Sequence, residues 1–413
     1  MHLLRSRSFL LLFLGQALNG IGSWAALVAM WGFAAYQFDS GPAQIALLGL
    51  AWAVPSAIVG PFAGVPIDRF GAKRVLILAY VASAATATAM SFVDSYRELV
   101  ALGVLLGLAK AFAMPASDTL PPRLVDDDDL LAANALLGAS SESAIVFGPL
   151  VAALAIAAWG LRGAFIVDAA TYLIGIAVVA PLVLRTPSNH DGEAPSGNLR
   201  RDLREGFALV ARQPVLRFTL LLSSIVFVTW STFVVVEPIY VRDVLGQPAS
   251  FFALLQTAFG IGLVGTGLLL PRLGDRVAGP RALSLSVVLS GLTAAVYVGT
   301  RIPAVAVAGV FLWGVDVAFF SAPSRTLLQR NSPPSTHGRV LALYRTVHSG
   351  ADVIALPLAG LAAGVAGVQS TALAVATLPF LAGIVGFRFA ARFSAAEQDP
   401  DLVEPVRLES PVA

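Results

Sequence analysis

Long apolar stretches alternate with short polar ones along almost the whole chain. Their length predicts helices over 9–36, 43–67, 73–93, 98–119, 130–158, 163–184, 216–241, 250–272, 280–299, 303–328, 338–366 and 370–391. Each is close to the roughly 20 residues that cross about 30 Å of hydrocarbon. A membrane β-barrel would instead show short segments of alternating polarity. The expected fold is therefore an all-α membrane protein of twelve transmembrane helices in two pseudo-symmetric six-helix bundles. The longest polar interval separates a bundle over 1–184 from one over 216–392. Between them, 185–215 reads as a cytoplasmic linker, with Leu199 to Ala211 able to lie on the membrane surface as an amphipathic helix. The acidic, proline-containing segment 393–413 reads as a disordered cytoplasmic tail.

Composition agrees with this pattern. Of the 413 residues 57% are hydrophobic and only 13% charged, where a soluble domain carries about 25%; the mean hydropathy is +0.79. An ordinary soluble enzyme is excluded. With no cysteine and four scattered histidines, no metal site is expected. No GxxxxGK[ST] loop is present, so direct use of ATP is not expected. The net charge of +2, spread over short loops, gives no nucleic-acid surface. The start, Met1 to Arg7, runs into the first apolar stretch without a cleavage signal and reads as an uncleaved first span.

The basic residues give an orientation. With both termini inside, twenty-two Arg and Lys fall on the inner side, and only Arg97, Arg162, Arg242 and Arg301 fall outside. Lys110 is left within a span. Internal repetition is equally clear. Gly107, Ala111, Phe112, Ser117, Thr119, Leu120 and Arg123 recur 207 positions later as Gly314, Ala318, Phe319, Ser324, Thr326, Leu327 and Arg330. The same offset pairs Asp68-Arg69 with Asp275-Arg276 and Arg74 with Arg281. The second half is a parallel repeat of the first, an arrangement common among transporters.

Between the second and third spans stands Gly64-Val-Pro-Ile-Asp68-Arg69-Phe-Gly71-Ala-Lys73-Arg74. Gly71 permits a tight turn, Lys73 and Arg74 anchor the inner surface, and Asp68 can face the positive end of a neighbouring helix. This G-x-x-x-D-R-x-G-x-K-R pattern resembles the signature loop of the major facilitator superfamily, and with the spans and the repeat the resemblance covers the whole chain. It implies that Asp68 and Arg69 latch the cytoplasmic gate in the outward-open state, with Asp275 and Arg276 as a weaker counterpart. Gly148-Pro149 in the fifth span looks like the end of the superfamily exporters' antiporter motif, with Ala152 and Ala153 where that motif has glycines. Either it serves transport direction or it is a packing kink. Leu130 to Leu137, Asp243 to Gly246 and Gly338 to Thr346 are similar to segments of the drug-efflux branch that includes macrolide-efflux and enterobactin-exporter-like proteins.

An ionisable group within a span costs about 2.5–3.5 kcal/mol on insertion scales and marks a functional candidate. Lys110, Glu142, Glu237, Asp316, Asp352 and His348 are the proton-coupling candidates, because a carboxylate removed from water can take up and release a proton during a cycle. Lys110 and Glu142 can instead form an ion pair, and Asp168 and Asp118 read as structural. Gln16, Asn19 and Ser23 form one polar stripe. With the aromatics Trp24, Trp31, Trp230, Phe233, Trp313, Phe319 and Phe320 they are the expected cavity wall.

The resemblance implies a monomeric secondary transporter of the bacterial plasma membrane that moves hydrophobic or amphipathic small molecules outward by alternating access. It would use the proton gradient, need no cofactor, and have protons, substrate and membrane lipids as its partners. An uptake symporter or a lipid or lysolipid flippase of the same fold is the alternative.

Overall fold

The structure is a computed structural model that describes residues 3–184, 207–333 and 336–398. Its helices are α1 (Arg7–Gly32), α2 (Pro42–Val59), α3 (Gly64–Phe70), α4 (Ala72–Met90), α5 (Tyr96–Asp118), α6 (Asp127–Trp159), α7 (Leu161–Val179), α8 (residues 207–212), α9 (Pro214–Ile239), α10 (Ala249–Leu269), α11 (Pro280–Val298), α12 (Pro303–Arg330), α13 (His337–Ala366) and α14 (Val368–Gln398). Eleven are long and apolar enough to cross a membrane, and the bent pair α3 and α4 makes a twelfth span. Proline at the first helical position starts α2, α9, α11 and α12, where its missing N–H is not needed and its fixed φ suits the helix.

Several boundaries differ from expectation, among them the end of α7 at Val179, short of 184. The second span stops at Val59, and α3 then turns through 117° into α4; Gly71, at φ +86°, makes that turn. At its far end, α14 continues to Gln398, into the segment expected to be disordered. Proline starts α9 at Pro214, inside the expected linker. Most of the expected amphipathic helix, 199–206, lies outside the described residues.

The sequence repeat is also a structural repeat. A Cβ on Gly107 would stand 2.3 Å from the carbonyl oxygen of Trp52, and one on Gly314 would stand 2.0 Å from that of Phe259. Trp52 and Phe259 are themselves 207 positions apart, so α5 closes on α2 as α12 closes on α10. The first helix of each half ends in a five-residue π-helical segment, Phe33–Gln37 and Tyr240–Val244, again at that offset. Gly314→Ala is expected to lower the melting temperature of the purified protein by several degrees, since overpacking against backbone costs roughly 1–3 kcal/mol. Gly265→Ala, which meets nothing within 4 Å, should leave it unchanged; equal melting of the two variants would refute the contact.

Helix alternation brings the Asp68 loop and the start of α1 to one end, here called the basic end. At the opposite end one core unites both halves, running from Met30, Phe33 and Ile45 to Val235, Tyr240, Trp313 and Leu356. At the basic end each half has its own: Phe9, Leu76, Tyr80 and Leu120 in the first, Phe227, Leu283 and Leu327 in the second. Glu142 on α6 and Arg345, Thr346 and Ser349 on α13 are exposed there. The halves are joined at one end and parted at the other, which makes a cleft open at the basic end.

Candidate functional site in the cleft

The second-half wall of the cleft holds the most concentrated chemistry. Asp352 and His348 lie one turn apart on α13, both half-buried. The Ser231 hydroxyl, on α9, donates to Asp352 Oδ1 at 2.6 Å. The His348 ring stacks on Phe227 at 4.3 Å and meets the edge of Trp230 at 6.1 Å. Tyr344 and Phe320 close around Phe227 at 5.1 and 6.2 Å. A carboxylate, an imidazole and a hydroxyl are thus held in an aromatic surround, an arrangement able to take up, hold and release a proton.

On the first-half wall, the Lys110 ammonium lies 4.3 Å from the centre of the Trp52 ring. The ion pair with Glu142, the alternative reading of these two residues, is not among the described ion pairs. Glu142 is exposed, and α5 turns Lys110 toward α2 instead of α6. The polar stripe also faces inward. Gln16 donates to Ser117 Oγ at 2.7 Å, Ser23 Oγ and the Tyr172 hydroxyl are 3.0 Å apart, and Asn19 is buried against Gly175. The stripe therefore binds α1 to α5 and α7, and of its three residues Ser23 lines a small cavity.

The aromatic set divides. Trp24 is 37% exposed; Trp230 and Phe319 are half-buried. Trp31, Phe233, Trp313 and Phe320 are buried and are core rather than open wall: Phe233 packs on Trp313 at 4.5 Å, and Trp31 meets Gly49.

The remaining intramembrane acids sit inside the halves. Glu237 is buried and accepts from the Tyr297 hydroxyl at 2.6 Å and from Gln256 Nε2 at 3.0 Å. Asp316 is 2% exposed on the side of α12 toward Ser290 of α11, and Asp168 is 0% exposed one turn before Tyr172. Gly148 has a packing role: its Cβ would stand 2.3 Å from that of Trp24, so it lets α6 lie against α1. Pro149 follows it within α6.

At the basic end, Asp68, Arg69, Arg74 and Arg276 are exposed, and Arg69 lies over the Phe70 ring at 5.3 Å. Lys73 Nζ donates to the Leu182 carbonyl at 2.7 Å, tying the loop to the end of α7. Asp68 takes part in none of the described ion pairs. Gly64 opens α3 in open space. The side chain of Asp275 lies outside the described residues.

The shut end has a latch that the sequence did not mark. Arg242, in the second π-helical segment, reaches across to the first half: its Nη1 is 2.7 Å from Asp39 Oδ1 and donates to the Ala35 carbonyl. Its Nε and Nη2 grip Asp243 at 2.6 and 2.9 Å. In return, the Tyr36 hydroxyl, in the first π-helical segment, donates to the Gln247 carbonyl at 2.9 Å. In the sequence the repeat sets Tyr36 at the position of Asp243.

These features agree with the relatives of the chain. A family model described as Major Facilitator Superfamily matches residues 12–348 and 219–408. Macrolide efflux protein A of Streptococcus pyogenes is 25% identical over 391 residues, covering 91% of this chain and 94% of that protein. Multidrug efflux pump Tap of Mycobacterium tuberculosis is 26% identical over 423 residues, covering 99% and 98%. Among solved structures, the nucleoside transporter NupG superposes with a TM-score of 0.73 at 13% identity, covering 92% of this chain and 98% of that one. A bacterial homologue of the human lysosomal transporter Spinster, inward-facing and unoccupied, gives 0.69 at 15% identity, covering 97% and 99%. With the twelve spans and the repeated halves around a cleft, the chain belongs to the Major Facilitator Superfamily and is a multi-pass membrane transporter.

Proposed function

We propose that the protein exports hydrophobic or amphipathic small molecules from the cytoplasm of a bacterium in exchange for protons. The observation that carries this reading is Asp352 with His348 and Ser231, a protonatable group set in an aromatic wall of the cleft. The full-length likeness to a macrolide-efflux protein and a multidrug pump supports the direction and the substrate class. Positive-inside counting makes the basic end cytoplasmic, and the structure is then inward-facing. In the cycle the substrate enters from the basic end as Asp352 releases its proton to the cytoplasm. The halves then rock about the cleft, the Arg242 latch parts, and the Asp68 loop shuts the inner end. A proton taken up by Asp352 from the outer side after the substrate has left accompanies the return.

Everted membrane vesicles energised by respiration test the coupling. Adding erythromycin or ethidium should discharge part of the pH gradient in vesicles that contain the protein and leave control vesicles unchanged. A gradient that steepens would identify symport. No change with any probe, despite measured transport of one, would overturn proton exchange.

A further inference from the structure

Lys110 is a cation in the middle of an apolar helix, and no carboxylate among the described residues neutralises it. The Trp52 ring beneath it attracts the ammonium without cancelling its charge. The fold does not need a cation here. At the repeat offset the second half carries Val317, and there α12 packs on α10 as α5 packs on α2. A charge kept in a span against an insertion cost of about 2.5–3.5 kcal/mol has a use other than packing.

Beside Lys110 is a cavity of about 140 Å³, bounded by Ser23, Trp24, Met30, Trp52, Leu106 and Tyr172 among others. A cavity of about 150 Å³ holds one benzene ring, so this one takes a single group of a larger molecule. Its polar groups include the Lys110 ammonium and the hydroxyl pair of Ser23 and Tyr172, in which one hydroxyl donates to the other and one is left to donate; such donors suit an anionic oxygen. Trp24 also lines it and, at 37% exposed, offers an aromatic surface for the rest of an amphiphile.

The geometry points to Lys110 as the subsite for the anionic group of the substrate: a carboxylate or sulfonate on an apolar, ring-bearing body that lies against Trp24. The subsite rests on the export reading for its place in a transport cycle. It narrows the substrate class from amphipathic compounds at large to amphipathic anions. In such a cycle the substrate anion neutralises Lys110 on the outward step, and Asp352 on the other wall carries the proton on the return.

The test is equilibrium binding to the purified full-length protein, read by quenching of tryptophan emission. Three probes share one ring system and differ in charge: naphthylacetate, naphthylacetamide and naphthylethylamine. Naphthylacetate is expected to bind about tenfold more tightly than the acetamide and to exceed the amine by more. Lys110→Gln should bring naphthylacetate down to the level of the acetamide, and Lys110→Arg should keep the preference. Equal binding of all three probes to the unaltered protein overturns the proposal without any variant. So does an anion preference that persists in Lys110→Gln. Binding needs no gradient and the vesicle assay reports coupling, so either reading can fail alone.

Discussion

Protein carrying Asp352→Asn is expected to fold normally and to lose gradient-driven transport completely, while exchange of substrate across a membrane without a gradient survives. Asparagine keeps the size of the side chain and an oxygen able to accept the Ser231 hydroxyl, which stands 2.6 Å from Asp352 Oδ1 in the native protein. What it removes is the ability to carry a proton. A residue that only shaped the wall would affect exchange and gradient-driven flux together; a coupling residue separates them. His348→Gln should give a smaller loss, because its ring meets Phe227 and Trp230 but leaves the acid in place. Asp316→Asn is the informative contrast. Asp316 is buried within its own half, facing α11 and away from the cleft, and its replacement should alter thermal stability more than coupling. Reconstituted vesicles with naphthylacetate, erythromycin or ethidium as probe, with and without an imposed pH difference, give both readouts. Undiminished gradient-driven transport by Asp352→Asn would move the coupling role to Glu237, whose two hydrogen-bonding partners make it the next best placed acid.

Much of this architecture was legible because membrane helices leave a simple record. Apolar run length sets the spans, and the offset of 207 residues foretells that Gly107 and Gly314 do the same work against Trp52 and Phe259. The contacts of each face were not legible. Helical spacing puts Gln16, Asn19 and Ser23 on one side of α1, but cannot say whether that side meets an open cavity or another helix; it meets α5 and α7. Aromatic content likewise cannot separate Trp24, which is exposed, from Phe233 and Phe320, which are buried. Lys110 and Glu142 were near enough in predicted depth to pair, but the partner of Lys110 is Trp52 on a third helix. Arg242 counted only as one of four outer basic residues, since its contacts with Ala35 and Asp39 join segments some two hundred positions apart.

That latch gives the second large expectation. Arg242→Ala is expected to loosen the shut end and shift the protein toward the conformation open at that end. Asp39 and Asp243 are exposed, so their ion pairs are screened and add little. The part-buried hydrogen bond to the Ala35 carbonyl carries most of the effect, because a charged donor to a backbone oxygen is worth roughly 1.5–3 kcal/mol. Asp39 adds a second reason: it is the only described residue other than glycine with a positive φ, at 48°. Arg242 helps hold that turn. The shift expected after screening is about tenfold in the conformational equilibrium. The chain contains no cysteine, so Ser40→Cys supplies a single reporter at a position that is 0% exposed beside the latch, with nearly the same shape as serine. In the otherwise native protein a maleimide should modify Cys at this position slowly. With Arg242→Ala added, modification should be about tenfold faster, and gradient-driven transport should fall because the state open at the basic end is visited less. Arg242→Lys keeps a charge but cannot grip Ala35, Asp39 and Asp243 at once, and should fall between the two. Equal labelling in all three proteins would reduce Arg242 to a pin for its own loop and leave the closure of this end to the shared apolar core of Met30, Val235 and Leu356.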